Sequence, residues 1–124
     1  MSSNCSCSCG EAPKFVFSCS GAADVGEIAD RAARVVSREG AIKMFCLAGI
    51  GGRVSGIVKS TEAAALVVAV DGCPLNCARK TLEQAGITDV KHVQLHELGL
   101  KKGESPATEE RIEQTAQAIR SLLG

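Results

Sequence analysis

The chain has 124 residues, 45% of them hydrophobic, enough for one compact core without disulfide stapling. Lys+Arg and Asp+Glu both number 14 and aromatic residues make up 2%, so neither nucleic acid nor a membrane surface is an expected partner. Seven cysteines, with no basic-then-apolar secretory segment and no membrane-length apolar run, predict a cytoplasmic protein whose reduced thiols serve metal binding or thiol chemistry.

In chain order, residues 1–13 carry Cys5-Ser6-Cys7-Ser8-Cys9 and read as a flexible Cys/Ser-rich tail, leaving 14–124 as the domain. Lys14 to Ser18 is a short β-type run. Ala22 to Glu39 then places Val25, Ile28, Ala29, Ala32, Val35 and Val36 at helical spacing, and Gly40 ends that helix. A strand over 41–45 leads into Ala48-Gly49-Ile50-Gly51-Gly52, read as a tight turn, and a short helix with Val54, Ile57 and Val58 inward. Leu66 to Val70 is an unbroken apolar run, as expected of a strand with both sheet faces covered. A helix over 77–85 and a strand over 92–95 follow. Ser105-Pro106 offers an N-cap and first residue for the last helix, with Ile112, Ala116, Ile119, Leu122 and Leu123 inward.

This alternation predicts an α/β class: a single-domain, mainly parallel four-stranded sheet flanked by helices, built from Rossmann-like βα repeats. All strand-to-helix turns then fall at the carboxyl edge of the sheet, where such folds place their sites.

Three cysteines occupy that edge. Cys19, Cys46 and Cys73 each follow a short apolar run, each 27 residues after the last, and Cys77 comes four residues after Cys73. Adjacent strands lie about 4.8 Å apart and zinc–sulfur bonds are about 2.3 Å long, so thiols leaning inward from neighbouring strand ends can share one ion. The metal expected is zinc, with an iron–sulfur cluster second. The bland account treats the same cysteines as small packed hydrophobes.

A catalytic account is also open. Cys73 and Arg79 form Cys-x-x-x-x-x-Arg at a helix start, the layout in which a helix N-terminus and an arginine hold an oxyanion for an attacking thiolate. The absence of a glycine in that loop, the loss of one donor at Pro74, and Lys80 after the arginine count against it. A redox pair of Cys73 with Cys77 has a loop one residue longer than the thioredoxin-type spacing. His96 is a possible nitrogen ligand and His92 a weaker one. Asp71 is either a partner to the site or a turn residue, Asp24 and Glu27 suit the first helix dipole, and Cys5, Cys7 and Cys9 either pass on a soft ion or form an unstructured end.

From Lys14 onward the chain resembles the DGC domain family, through Asp71-Gly72-Cys73, Phe45-Cys46-Leu47-Ala48-Gly49-Ile50-Gly51-Gly52 and Cys73-Pro74-Leu75-Asn76-Cys77. Members are described as zinc-binding proteins with four cysteines as proposed chelators and no established activity. The resemblance implies the same role for Cys19, Cys46, Cys73 and Cys77, with a metal ion as partner, and leaves protein partners unknown.

Overall fold

The computed structural model describes residues 12–124. Cys5, Cys7 and Cys9, and the flexible tail expected around them, lie outside the described residues. The Pro13 carbonyl accepts the Ala65 N–H at 2.7 Å, just ahead of the strand that begins at Leu66.

Four strands, β1 (Lys14–Ser18), β2 (Lys43–Met44), β3 (Leu66–Asp71) and β4 (Lys91–Gln94), form one parallel sheet in the order β2-β1-β3-β4. Side chains alternate across it. Val16, Val68, Val70 and Val93 face α1 (Asp24–Glu39) and α5 (Glu109–Arg120), while Phe15, Phe17, Val67 and Ala69 face α2 (Leu47–Gly51), α3 (Ser55–Glu62) and α4 (Cys77–Gln84). Both faces are thus covered, which is why β3 lacks polar alternation. The α/β class and four-stranded parallel sheet are as expected. No helix among the described residues is long and apolar enough to cross a membrane.

The order of strands positions the site. Helix α1, which follows β1, packs on one face, and α4, which follows β3, packs on the other. Adjacent strands whose following helices diverge leave a crevice beyond their carboxyl ends, the topological switch point where α/β sheets bind ligands. Here it falls between β1 and β3. It is therefore flanked by Cys19 on one side and Asp71-Gly72-Cys73 on the other.

Several local expectations are corrected. The glycine-rich stretch is a helix rather than a tight turn: α2 spans Leu47–Gly51, capped by Cys46, and Gly49 packs so closely on α3 that a Cβ there would lie 2.3 Å from Ile57 Cδ1. Arg53, at φ +58°, ties α2 to α4 by donating to the carbonyls of Ile50 and Gln84. Val54 caps α3 and is 51% exposed rather than inward; Ile57 and Val58 do pack on the sheet. The last helix starts at Glu109, with Thr108 Oγ1 accepting the Arg111 N–H, and not at Ser105-Pro106. Ser105 is otherwise engaged. Its hydroxyl accepts the Lys101 N–H and its own N–H goes to Asp24 Oδ2, while Gly103 N–H donates to Asp24 Oδ1.

Candidate functional site

Each of the four thiols is placed by a different piece of backbone. Cys19 directly follows β1, and its N–H continues the ladder by donating to Val70 O at 2.9 Å. Ser20 then turns into the left-handed region (φ 50°), held by Ser18 Oγ, which accepts its N–H, and by Asp30, which accepts its hydroxyl. Cys46 lies two residues past β2 and serves as the N-cap of α2, its sulfur accepting the Gly49 N–H at 3.4 Å. Cys73 lies two residues past β3. A turn closed by Asn76 N–H to Cys73 O at 3.2 Å returns the chain to Cys77, the first residue of α4.

Gly72 is required by close packing. A Cβ there would sit 2.7 Å from the backbone carbon of Val25, so the end of β3 presses directly on the first turn of α1. This brings Gly72 N–H to Cys19 Sγ at 3.4 Å, linking the two sides of the crevice.

Asp71 is 1% exposed, and its carboxylate collects three donors. Oδ1 accepts the Ala78 N–H at 2.7 Å, and Oδ2 accepts the Arg79 N–H at 3.2 Å and lies 2.9 Å from His92 Nε2. An ionised carboxylate only accepts, so His92 donates. Asn76, the N-cap position of α4, makes no side-chain cap bond, and Asp71 fills that role from the strand. The side chain of Asn76, whose backbone is left-handed (φ 56°, ψ 45°), instead accepts Gln94 Nε2 at 2.7 Å.

The thiols share walls of two cavities. One, of about 490 Å³, opens at the β1/β3 crevice and is lined by Cys19, Asp71, Cys73, Cys77, Leu75 and Lys102 among others. The second, about 740 Å³, lies toward β2, with Cys19, Cys46, Asp30 and Arg34 in its wall. Cys19 belongs to both. A third cavity, about 410 Å³, lies at the opposite, amino edge and contains no thiol.

The four sulfurs therefore meet at one edge, but not at one point: among the described residues no three His, Cys, Asp or Glu side chains are gathered as for a metal ion. Cys19 and Cys46 are each turned to a backbone N–H. Burial pushes the Cys19 thiol up from its usual range; the N–H groups of Gly21 and Gly72 oppose this, and the nearby Asp71 and Cys73 charges add to it.

Two sequence candidates have other partners. His96 sits in a single 3-10 turn, Leu95–Leu98, where its Nε2 accepts the Lys102 N–H at 3.2 Å. Arg79 pairs with Glu83 on its own helix at 3.3 Å, and two of the N–H groups an oxyanion would use at the start of α4, those of Ala78 and Arg79, are held by Asp71. His92 reads in the sequence only as a weak ligand candidate, not as a partner of Asp71, and Gln94 is a residue that sequence reasoning passes over. Their partners are 21 and 18 residues away, and only their alternate spacing on β4 hinted that they share a face.

Comparison with known proteins agrees with the motifs. The family described as DGC domain matches residues 15–119. A curated relative from Pseudomonas aeruginosa, named anaerobic and virulence modulator AnvM, is 36% identical over 88 residues, spanning 71% of this chain and 67% of the relative. No solved structure matches.

Proposed function

The chain belongs to the DGC domain family, and from that premise we propose that it is a zinc-binding protein, one ion being held by Cys19, Cys46, Cys73 and Cys77. The observation that carries this reading is the placement of these thiols around the switch point of the sheet, with Cys19 in the wall of both thiol-bearing cavities. The donor set suits the ion: four soft sulfurs, two of them already accepting backbone N–H bonds. Closing the set requires the cysteine side chains to turn toward one another, since they are not gathered in the geometry described. Zinc so bound supplies a closed, redox-inert cross-link between the ends of three strands and a helix.

A binding role is favoured over a thiol enzyme. Asp71 takes two donors of the anion cradle at the head of α4, and Arg79 is engaged with Glu83. A reduced, cytoplasmic setting suits the free thiols. The AnvM relative is named as a modulator, and we extend that to a regulatory role here, in which the occupancy of the thiol edge is the signal.

The test is elemental analysis of the purified full chain, with and without Cys5, Cys7 and Cys9 replaced together by serine. About one equivalent of zinc should persist in the tail variant and be lost in Cys19→Ser or Cys46→Ser. Zinc that survives Cys46→Ser, or a zinc-supplied protein that binds none, would overturn the assignment. Hydrolysis of an aryl phosphate abolished by Cys73→Ala and Arg79→Ala would establish the enzyme instead.

A further inference from the structure

We propose that His92 and Gln94 are positioning residues for the Cys73–Cys77 limb of the zinc site, an inference that rests on the four-thiol reading. They are alternate residues of β4 and so project from one face. Each grips one end of the segment that carries the two thiols. His92 donates to Asp71, which precedes Cys73 by two residues, and Gln94 donates to Asn76, which precedes Cys77 by one.

Gly72 is fixed by its packing on Val25 and its N–H to Cys19, and Cys73 packs against the core, but residues 74–76 have little else to hold them. Pro74 restricts one φ angle, and the Asn76 N–H to Cys73 O bond closes the turn. Asn76 must then stay left-handed, a conformation that only glycine adopts freely, for Cys77 to open α4. The Gln94 amide holds it there from outside the turn. Leu75, at its tip, is 60% exposed and contributes no anchoring by burial.

The need for such precision comes from the metal. Sulfurs about 2.3 Å from a tetrahedral ion stand about 3.8 Å apart, so a limb that drifts spoils two ligands together. The backbone ladder of β4 to β3 does not depend on the Gln94 amide. Its loss should fall on zinc affinity and leave the fold intact. Partners that orient metal ligands from behind them are each worth about 10–100-fold in affinity.

The experiment is zinc competition against a chromophoric chelator, and the visible spectrum of the cobalt-substituted protein, on the full chain. Gln94→Leu should weaken zinc by about tenfold or more and alter the cobalt thiolate bands, with the melting point of the metal-free protein unchanged. Asn76→Ala should weaken zinc at least as much, with a lower melting point because alanine tolerates this left-handed backbone less well, and the double variant should bind no more weakly than Asn76→Ala alone, because the Gln94 amide acts through Asn76. Gln94→Glu should recover most of the affinity, since the Asn76 amide can flip and donate to the new carboxylate. His92→Phe should weaken zinc in the same direction.

Wild-type chain that binds zinc through its four cysteines while Gln94→Leu binds it equally tightly overturns this inference and spares the zinc reading. Additive losses in the double variant overturn it as well. Wild-type chain that binds no zinc removes both. Should Gln94→Leu fail to fold, Gln94→Glu and Asn76→Ala, which keep a polar or small side chain, decide the matter by the same readouts.

Discussion

Replacing Gly72 by alanine would set a methyl group 2.7 Å from Val25 C, 2.8 Å from Val25 O and 2.9 Å from Gly26 N, all of them backbone atoms of α1. Ordinary contact begins at 3.4 Å, so the end of β3 and the first turn of α1 must separate by about 0.7 Å. No side-chain rotation relieves this. Nor can α1 simply retreat, because Gly26 is itself packed against the Gly21 carbonyl, where a Cβ would lie 2.3 Å away. Overpacking against rigid backbone costs about 2–3 kcal/mol. For a domain of this size each kcal/mol lowers the melting point by about 4 °C, so a drop of roughly 8–12 °C is expected. Thermal and urea unfolding of the metal-free chain measure it, with Gly51→Ala as control. That methyl would meet only Thr81 Cγ2, at 3.7 Å, on helical backbone, and stability should hold or rise by up to about 1 kcal/mol. A Gly72→Ala protein melting within about 2 °C of wild type would refute the close-packing account.

Two further predictions concern carboxylates. Asp71→Ala strands the Ala78 and Arg79 N–H groups and the His92 imidazole together, and should destabilise the metal-free protein by about 3 kcal/mol in urea unfolding. Asp71→Asn should restore about half of this, because an amide keeps one acceptor, and a loss below about 1 kcal/mol in the alanine variant would contradict the capping role. Asp24 is held below the usual carboxylate range, chiefly by the Gly103 N–H and then by that of Ser105. Its contribution is therefore complete at neutral pH and lost as pH falls through its depressed folded-state pKa. The stability gap between wild type and Asp24→Asn, followed by denaturation from neutral pH to about pH 3, should close in acid; a gap that widens there reverses the sign of the reasoning.

The elements written most plainly in the sequence are those with an uninterrupted period. Helix α1 shows its apolar face and ends at Gly40, which adopts φ 95°, and β3 shows a run that only a doubly covered strand tolerates. The parallel sheet, and the arrival of Cys19, Cys46 and Cys73 at its carboxyl edge, follow from the alternation of such elements. Helix α2 was hidden because its five residues include two glycines and no full period; its conformation comes from packing on Ile57 and from the Cys46 cap. The start of α5 was misread because Ser105 answers to Lys101 and Asp24 instead of to the helix ahead of it. The sequence leaves Asp71 open between a site partner and a turn residue because its donors, at Ala78, Arg79 and His92, become neighbours only when α4 and β4 are in place. Strand order is similarly invisible to local pattern. Until β3 is known to lie beside β1, nothing singles out Cys19 as the thiol common to both sides of the crevice.

The strand order also constrains how the chain can be assembled during synthesis. Strand β1 emerges before the other three yet occupies an interior position, and its longer pairing is with β3, which begins at Leu66. A chain that has β1, α1, the two-residue β2, α2 and α3 but not β3 therefore carries a central strand with one edge bare, a template for unwanted pairing between chains. Arrival of β3 covers that edge, and Asp71 to Cys77 follow at once. Released fragments ending just before Leu66 should thus be protease-sensitive and prone to self-association, and the full chain should not.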